Sequence, residues 1–120
     1  MSTNISWNLR LSVVEGKLDD ARSLMHEMVE ATRNESGTLG YEWFLSADGG
    51  TCHICERYAD SGAALVHLGN FGAHFAERFL QCFAPTDLTV YGEPSDEARA
   101  ALDGFGAAYL GSLGGFHRAG

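Results

Sequence analysis

Two groups of residues carry side chains whose types and spacing could do chemistry. The stretch TCHICERY, residues 51–58, holds Cys52 and Cys55 in CxxC spacing with His53 between them, a pattern that elsewhere builds redox centres and half zinc sites. Further on, His67, Asn70, His74 and Arg78 recur at spacings of three and four, which on a helix makes one polar stripe. Imidazole titrates near neutral pH, so the stripe could supply a base, with an amide beside it to orient a carbonyl or an oxygen. His67 and His74 sit two turns apart, roughly 10 Å along a helix axis. They therefore cannot chelate one metal, whereas histidines one turn apart could.

What these residues can do depends on the elements that carry them. Residues 7–13 put Trp7, Leu9, Leu11 and Val13 on one face and Asn8, Arg10 and Ser12 on the other, the period of a strand. After Gly16, Leu18, Ala21, Leu24, Met25, Met28 and Val29 follow helical spacing, with acids in the early turns and Gly37 placed to end the helix. Two runs rich in aromatic and β-branched residues then flank Asp48-Gly49-Gly50, a hairpin signal. Residues i and i+3 of a strand point to opposite faces, so Cys52 and Cys55 read as two small, half-buried strand residues. A Gly49-Gly50 turn would set Glu42 opposite Arg57 and Tyr41 opposite Tyr58.

Asp60 or Ser61 caps a second helix, whose apolar face includes Leu65, Leu68, Phe71, Phe75, Phe79 and Leu80 and whose other side is the polar stripe. After Pro85 the stretch TDLTVYGEP, residues 86–94, alternates again as a strand. Pro94 and Ser95 lead into a short capped helix, and residues 109–118 read as an extended arm or added strand.

Composition limits the partners. The 120 residues fit one domain, 1–120, with a core over 7–92 and a C-terminal extension over 93–120. With 16 acidic against 8 basic residues, a net charge of −8, the chain lacks the clustered cations that nucleic acid requires. No apolar run approaches the ~18 residues of a membrane span. The N-terminal MSTNISWNLRL has neither a basic n-region nor an apolar stretch, so a cytoplasmic location is expected.

The order βαββαβ predicts an α+β protein of ferredoxin-like arrangement: an antiparallel sheet with both helices on one face, plus a C-terminal helix and an extended arm. Large apolar groups on both strand parities (Trp43 and Leu45 against Phe44, Ile54 and Tyr58 against His53 and Cys55) imply that a second subunit covers the other face.

A strand ending in Glu56-x-Tyr58, a short turn with Asp60, and a helix bearing His67 nine residues after that tyrosine resemble the antibiotic biosynthesis monooxygenase family. The preceding ESGTLGYEWFL is similar to the segment that leads into that family's second strand. The resemblance covers about residues 7–91. It implies a homodimeric α+β barrel with a cavity between sheet and helices in each subunit. Some members oxidise phenolic or quinol-type aromatics with molecular oxygen and neither metal nor flavin, and others degrade haem. The haem-degrading members use an asparagine on the first strand with a tryptophan and a helical histidine. Here Asn8 is out of phase for that role.

Oxidation of an electron-rich aromatic without a cofactor requires a base, a donor to hold the resulting anion, and a dry pocket. His67 is the first candidate for the base, or else a helix histidine hydrogen-bonded to Glu56 on the neighbouring strand. Asn70 could orient an oxygen. Tyr58 could donate to a substrate oxygen or anchor a dimer. Tyr41, Trp43 and Phe44 suit an aromatic pocket, with Glu56 and His74 as further substrate contacts. His26, His53 and His117 receive no role. The expected protein is a homodimer that acts on, or only binds, a small aromatic or quinone-like molecule. If it is a non-catalytic binding or interaction module, its cavity should be filled or should lack a titratable group.

Overall fold

The computed structural model describes residues 2–118 of the chain. Its elements run β1 (Ile5–Val13), α1 (Leu18–Arg33), β2 (Thr38–Leu45), β3 (Thr51–Tyr58), α2 (Ser61–His74), α3 (Ala76–Cys82), β4 (Phe83–Tyr91), α4 (Asp96–Asp103) and β5 (Ala108–Leu110). The sheet order is β2-β3-β1-β4-β5. Neighbouring strands among the first four pair antiparallel, and β5 runs parallel to β4. This is the expected ferredoxin-like order, in which both halves of the βαβ repeat meet at the central pair.

Alternation along the strands decides which side the helices cover. Ile5, Trp7 and Leu11 of β1, Cys52, Ile54, Glu56 and Tyr58 of β3, and Leu88 and Val90 of β4 are all buried. They form two apolar clusters. In one, α1 and α3 bring Leu24, Met28, Phe79 and Cys82 against Leu11 and Ile54. In the other, Ala64 of α2 and Leu102 of α4 pack on Trp7, Tyr58 and Val90. Cys52 is buried in the first cluster while Cys55 is exposed on the opposite face, as a strand dictates for positions three apart. Burial pushes the Cys52 thiol up to about 11, so it rests as a protonated, hydrophobic side chain.

The uncovered face is more mixed than strand parity suggested. Phe44 and Tyr91 are about half exposed there, but the register sets Asn8 beside Cys55 and Thr89, and Arg10 beside His53 and Asp87. Polar groups thus interrupt the apolar ones.

Several boundaries differ from the sequence reading, each for a local reason. The β2–β3 loop spans five residues, 46–50, because the Asp48 carboxylate accepts from the Ser46 hydroxyl at 2.7 Å and the Gly50 N–H at 2.9 Å. Only Gly49 in this turn has positive φ, at 75°. The register moves by two, so that Tyr41 faces Glu56 and Glu42 faces Cys55, and the expected Glu42–Arg57 and Tyr41–Tyr58 pairs do not form. The second helix is broken: Phe75, at φ −128° and ψ −20°, separates α2 from α3. β4 begins at Phe83 and passes through Pro85, where the pairing with β1 shifts between Arg10 and Leu11 and absorbs the missing N–H. The arm contributes a three-residue strand, β5, and residues 111–118 follow it without regular structure.

Gly37 does not terminate α1. That helix ends at Arg33 with Asn34 in an αR conformation. The glycine is needed because a Cβ there would lie 2.5 Å from the Ala63 Cβ of α2. This close approach holds the α1–β2 link against the start of α2. Gly37→Ala is expected to lower stability by about 1–3 kcal/mol, read as an earlier urea midpoint; an unchanged midpoint would show that the two segments separate freely. The start of α2 is fixed independently by Asp60, whose carboxylate accepts from the Ala63 N–H at 2.8 Å, and α4 is capped in the same way by Ser95.

Candidate active site

Three segments far apart in sequence converge on one imidazole. His67, on the second turn of α2, is buried at 6% exposure. Its Nδ1 lies 2.9 Å from Glu35 Oε1 and its Nε2 lies 3.3 Å from Glu56 Oε1. Glu56 comes from β3, and Glu35 from the link between α1 and β2. Both carboxylate side chains are less than one-tenth exposed. The Tyr58 hydroxyl donates to Glu56 Oε1 at 2.5 Å. Glu35 is held by two further donors, the Thr38 hydroxyl at 2.9 Å to Oε1 and the Asn70 amide at 3.1 Å to Oε2. The rings of Tyr41 and Tyr58 flank the imidazole at centroid distances of 5.3 and 5.2 Å.

A neutral imidazole has one N–H, so two ionised carboxylates on its two nitrogens call for the doubly protonated cation. Burial alone would lower the His67 pKa, but the hydrogen bonds and charges of Glu56 and Glu35 outweigh it and hold it above the ordinary value. Burial and the Glu56 charge hold the Tyr58 phenol well above its ordinary range, and they do the same for Tyr41. Both tyrosines therefore remain donors.

A native pKa above the unfolded one makes the His67 contribution to stability complete below its ordinary value of 6.5. That contribution is lost as pH rises through the higher native value. Urea midpoints should therefore fall as pH rises above 6.5, and the fall should be absent from His67→Gln.

The covered face of the sheet leaves a cavity of about 180 Å³ where the two apolar clusters meet. Met28, Ile54 and Phe79 line it from one cluster, and Trp7, Leu88 and Leu102 from the other. Among the described residues, Glu56, His67 and Tyr41 are its only titratable walls. Gly72, Leu80, Pro85 and Phe105 also line it and are exposed, which marks its mouth. Glu56 Oε1 is occupied by Tyr58 and His67, whereas Oε2 takes neither of these contacts.

Of the residues singled out in the sequence, the structure brings His67, Glu56 and Tyr41 to the cavity wall. Tyr58 is fully buried behind Glu56 and does not line the cavity. Asn70 is exposed, with its amide on Glu35. Trp43 and Phe44 line a separate depression between α1 and the β2 edge, and His74 is exposed at the end of α2 and lines neither. The polar stripe is in large part a seam between helices: His67 and Asn70 reach Glu35 just past α1, and Arg78 forms a two-pronged pair with Glu27 of α1 at 2.9 and 2.6 Å. Asn8 points to the other side of the sheet from His67. Glu35 and Thr38 did not stand out in the sequence, nor did the apolar wall residues Leu88, Leu102 and Phe105.

No group of three or more His, Cys, Asp or Glu among the described residues is placed to hold a metal ion. No helix among them is long and apolar enough to cross a membrane.

Fold and site together define a ferredoxin-like α+β protein with an acid–base cluster in the wall of an apolar cavity. The sequence model described as antibiotic biosynthesis monooxygenase matches residues 5–82, and the chain belongs to that family. It is 36% identical over 84 residues to Rv0793 of Mycobacterium tuberculosis, whose monooxygenase assignment is provisional. That match covers 66% of this chain and 79% of the relative. The solved structure of Rv0793 superposes with a TM-score of 0.60 at 25% identity, covering 78% of this chain and 97% of that one. MupZ from Pseudomonas fluorescens superposes with a TM-score of 0.88 at 23% identity, covering 98% of this chain and 91% of its own, and so shares the C-terminal extension. SnoaB from Streptomyces nogalater, a cofactor-independent oxygenase, gives a TM-score of 0.66 at 12% identity over 78% of this chain and 96% of its own.

Proposed function

We propose that the protein is a cofactor-independent monooxygenase that takes a small aromatic of phenolic or quinol type into the cavity, and that it works as a cytoplasmic homodimer. One observation carries this reading: an apolar cavity whose titratable wall is a carboxylate, an imidazole and a phenol already bonded or stacked together. An apolar ring fits the Leu, Phe and Met walls, and a weakly acidic hydroxyl then has Glu56 as its acceptor. Glu56 Oε2 takes the hydroxyl proton, and the imidazolium of His67 stabilises the substrate anion in a site with little water. The anion transfers one electron to molecular oxygen, and the radical pair joins to a peroxide. The peroxide takes the proton back from Glu56, and loss of water, with the O–O bond and the C–H bond of the same carbon breaking, leaves one oxygen atom in the product as a carbonyl. This assignment moves the base from His67, whose two nitrogens are both engaged, to Glu56. The family membership and the described activity of SnoaB support oxygen as the co-substrate.

The same engagement of both nitrogens favours a second reading, a binding module that holds such a molecule without converting it. Oxygen uptake with a panel of hydroquinones separates the two. Uptake that is lost in Glu56→Gln supports the oxygenase. Binding of the same compounds without uptake supports the module.

The homodimer would place the uncovered faces of two sheets together, with Phe44 and Tyr91 in the contact. Sedimentation of a stably folded single copy at micromolar concentration would contradict it.

A further inference from the structure

Two carboxylates serve one imidazole here, and only one of them reaches the cavity. Glu56 lines it, while Glu35 does not. Yet Glu35 makes the shorter contact with His67, 2.9 Å against 3.3 Å. Its position is fixed from three directions, by Thr38 on β2, and by His67 and Asn70 on α2. A carboxylate that cannot touch the bound molecule, but is oriented this completely, acts through the imidazole.

Its action follows from charge balance during proton transfer. Before the transfer, the cationic His67 lies between two anions. When a bound hydroxyl gives its proton to Glu56, the O–H bond breaks, its electron pair stays on the ligand oxygen, and a new O–H bond forms on the carboxyl group. Glu56 becomes neutral and the ligand becomes an anion; no oxidant or reductant takes part in this step. With Glu56 alone, His67 would keep no carboxylate counter-ion of the protein's own at the moment its charge is needed to stabilise the ligand anion. The titratable groups around the ring are Glu35 from the α1–β2 link, Tyr41 from β2, and Glu56 and Tyr58 from β3. Both tyrosines are neutral, so Glu35 is the remaining protein anion in contact with it.

We propose that Glu35 is a positioning residue that keeps His67 charged and in place while Glu56 holds the proton of a weakly acidic ligand. The inference rests on the acid–base reading of the cavity, but its test requires no turnover.

Glu56→Gln mimics the carboxyl group after it has taken up the proton, with the same shape and no charge. Nitrogen-15 spectra of histidine-labelled protein report the protonation of each imidazole nitrogen, and His67→Gln assigns the His67 signals. In Glu56→Gln at neutral pH, His67 is expected to remain doubly protonated, and adding Glu35→Gln is expected to abolish that state. A neutral His67 in Glu56→Gln alone would overturn the proposal. Should that variant fail to fold, Glu35→Gln with Glu56 intact gives the same information. Its His67 midpoint should move to lower pH, and an unmoved midpoint would overturn the proposal.

With an active hydroquinone in hand, the alkaline limb of the Glu35→Gln uptake profile should move to lower pH, a change that loosened packing would not produce. If no compound supports uptake, the oxygenase reading fails, and the spectra still decide the role of Glu35.

Discussion

Replacing His67 by alanine is expected to destabilise the protein by about 3–5 kcal/mol, the cost of leaving buried charges without their partner. The loss exceeds what a missing side chain of this size would cause by cavity formation alone, because Glu35 and Glu56 would then face each other across the vacated space. Both carboxylate side chains are over nine-tenths buried, so water screens them little. Urea unfolding at neutral pH reads the effect. A change below about 1 kcal/mol, within the range of an exposed ion pair, would mean that the imidazole is not the electrostatic centre of the site.

Glu56→Gln has the largest expected effect on turnover, a fall in hydroquinone-dependent oxygen uptake of about 10²–10⁴-fold, the usual contribution of a positioned base. Size and shape are kept, and the Tyr58 hydroxyl and His67 Nε2–H can still donate to the amide oxygen. The variant therefore separates the base from the packing around it, which His67→Ala cannot do. A Glu56→Gln enzyme with undiminished uptake would leave the cavity wall without a base.

The sheet was legible because period-two patterns and the Asp60 and Ser95 caps are local signals, and the βαββαβ order then leaves few topologies. His67 was legible as a candidate because a histidine on an otherwise apolar helix stands out. Its partner Glu35 was not, because a helix running on to Gly37 puts Glu35 in an ordinary polar last turn, and the contact with His67 spans 32 positions. The hairpin register turned on a side-chain bond from Asp48 that no alternation pattern reports. The break at Phe75 has no glycine or proline to announce it. Asn70 and His74 share a stripe with His67, yet each turn of α2 meets a different neighbour, so periodicity alone could not sort cavity from surface.

Leu102 and Phe105 of the C-terminal extension close one side of the cavity. The family match ends at residue 82, so this wall lies outside the matched region.

Mapping amide and imidazole NMR shifts on addition of 1,4-naphthoquinone tests most directly whether a small apolar molecule enters the cavity against Glu56 and His67. The largest changes are predicted at the His67 ring and at Leu68, Phe71, Leu102 and Phe105. Shifts confined to the α1–β2 depression or the uncovered sheet face, or no shifts at all, would contradict it.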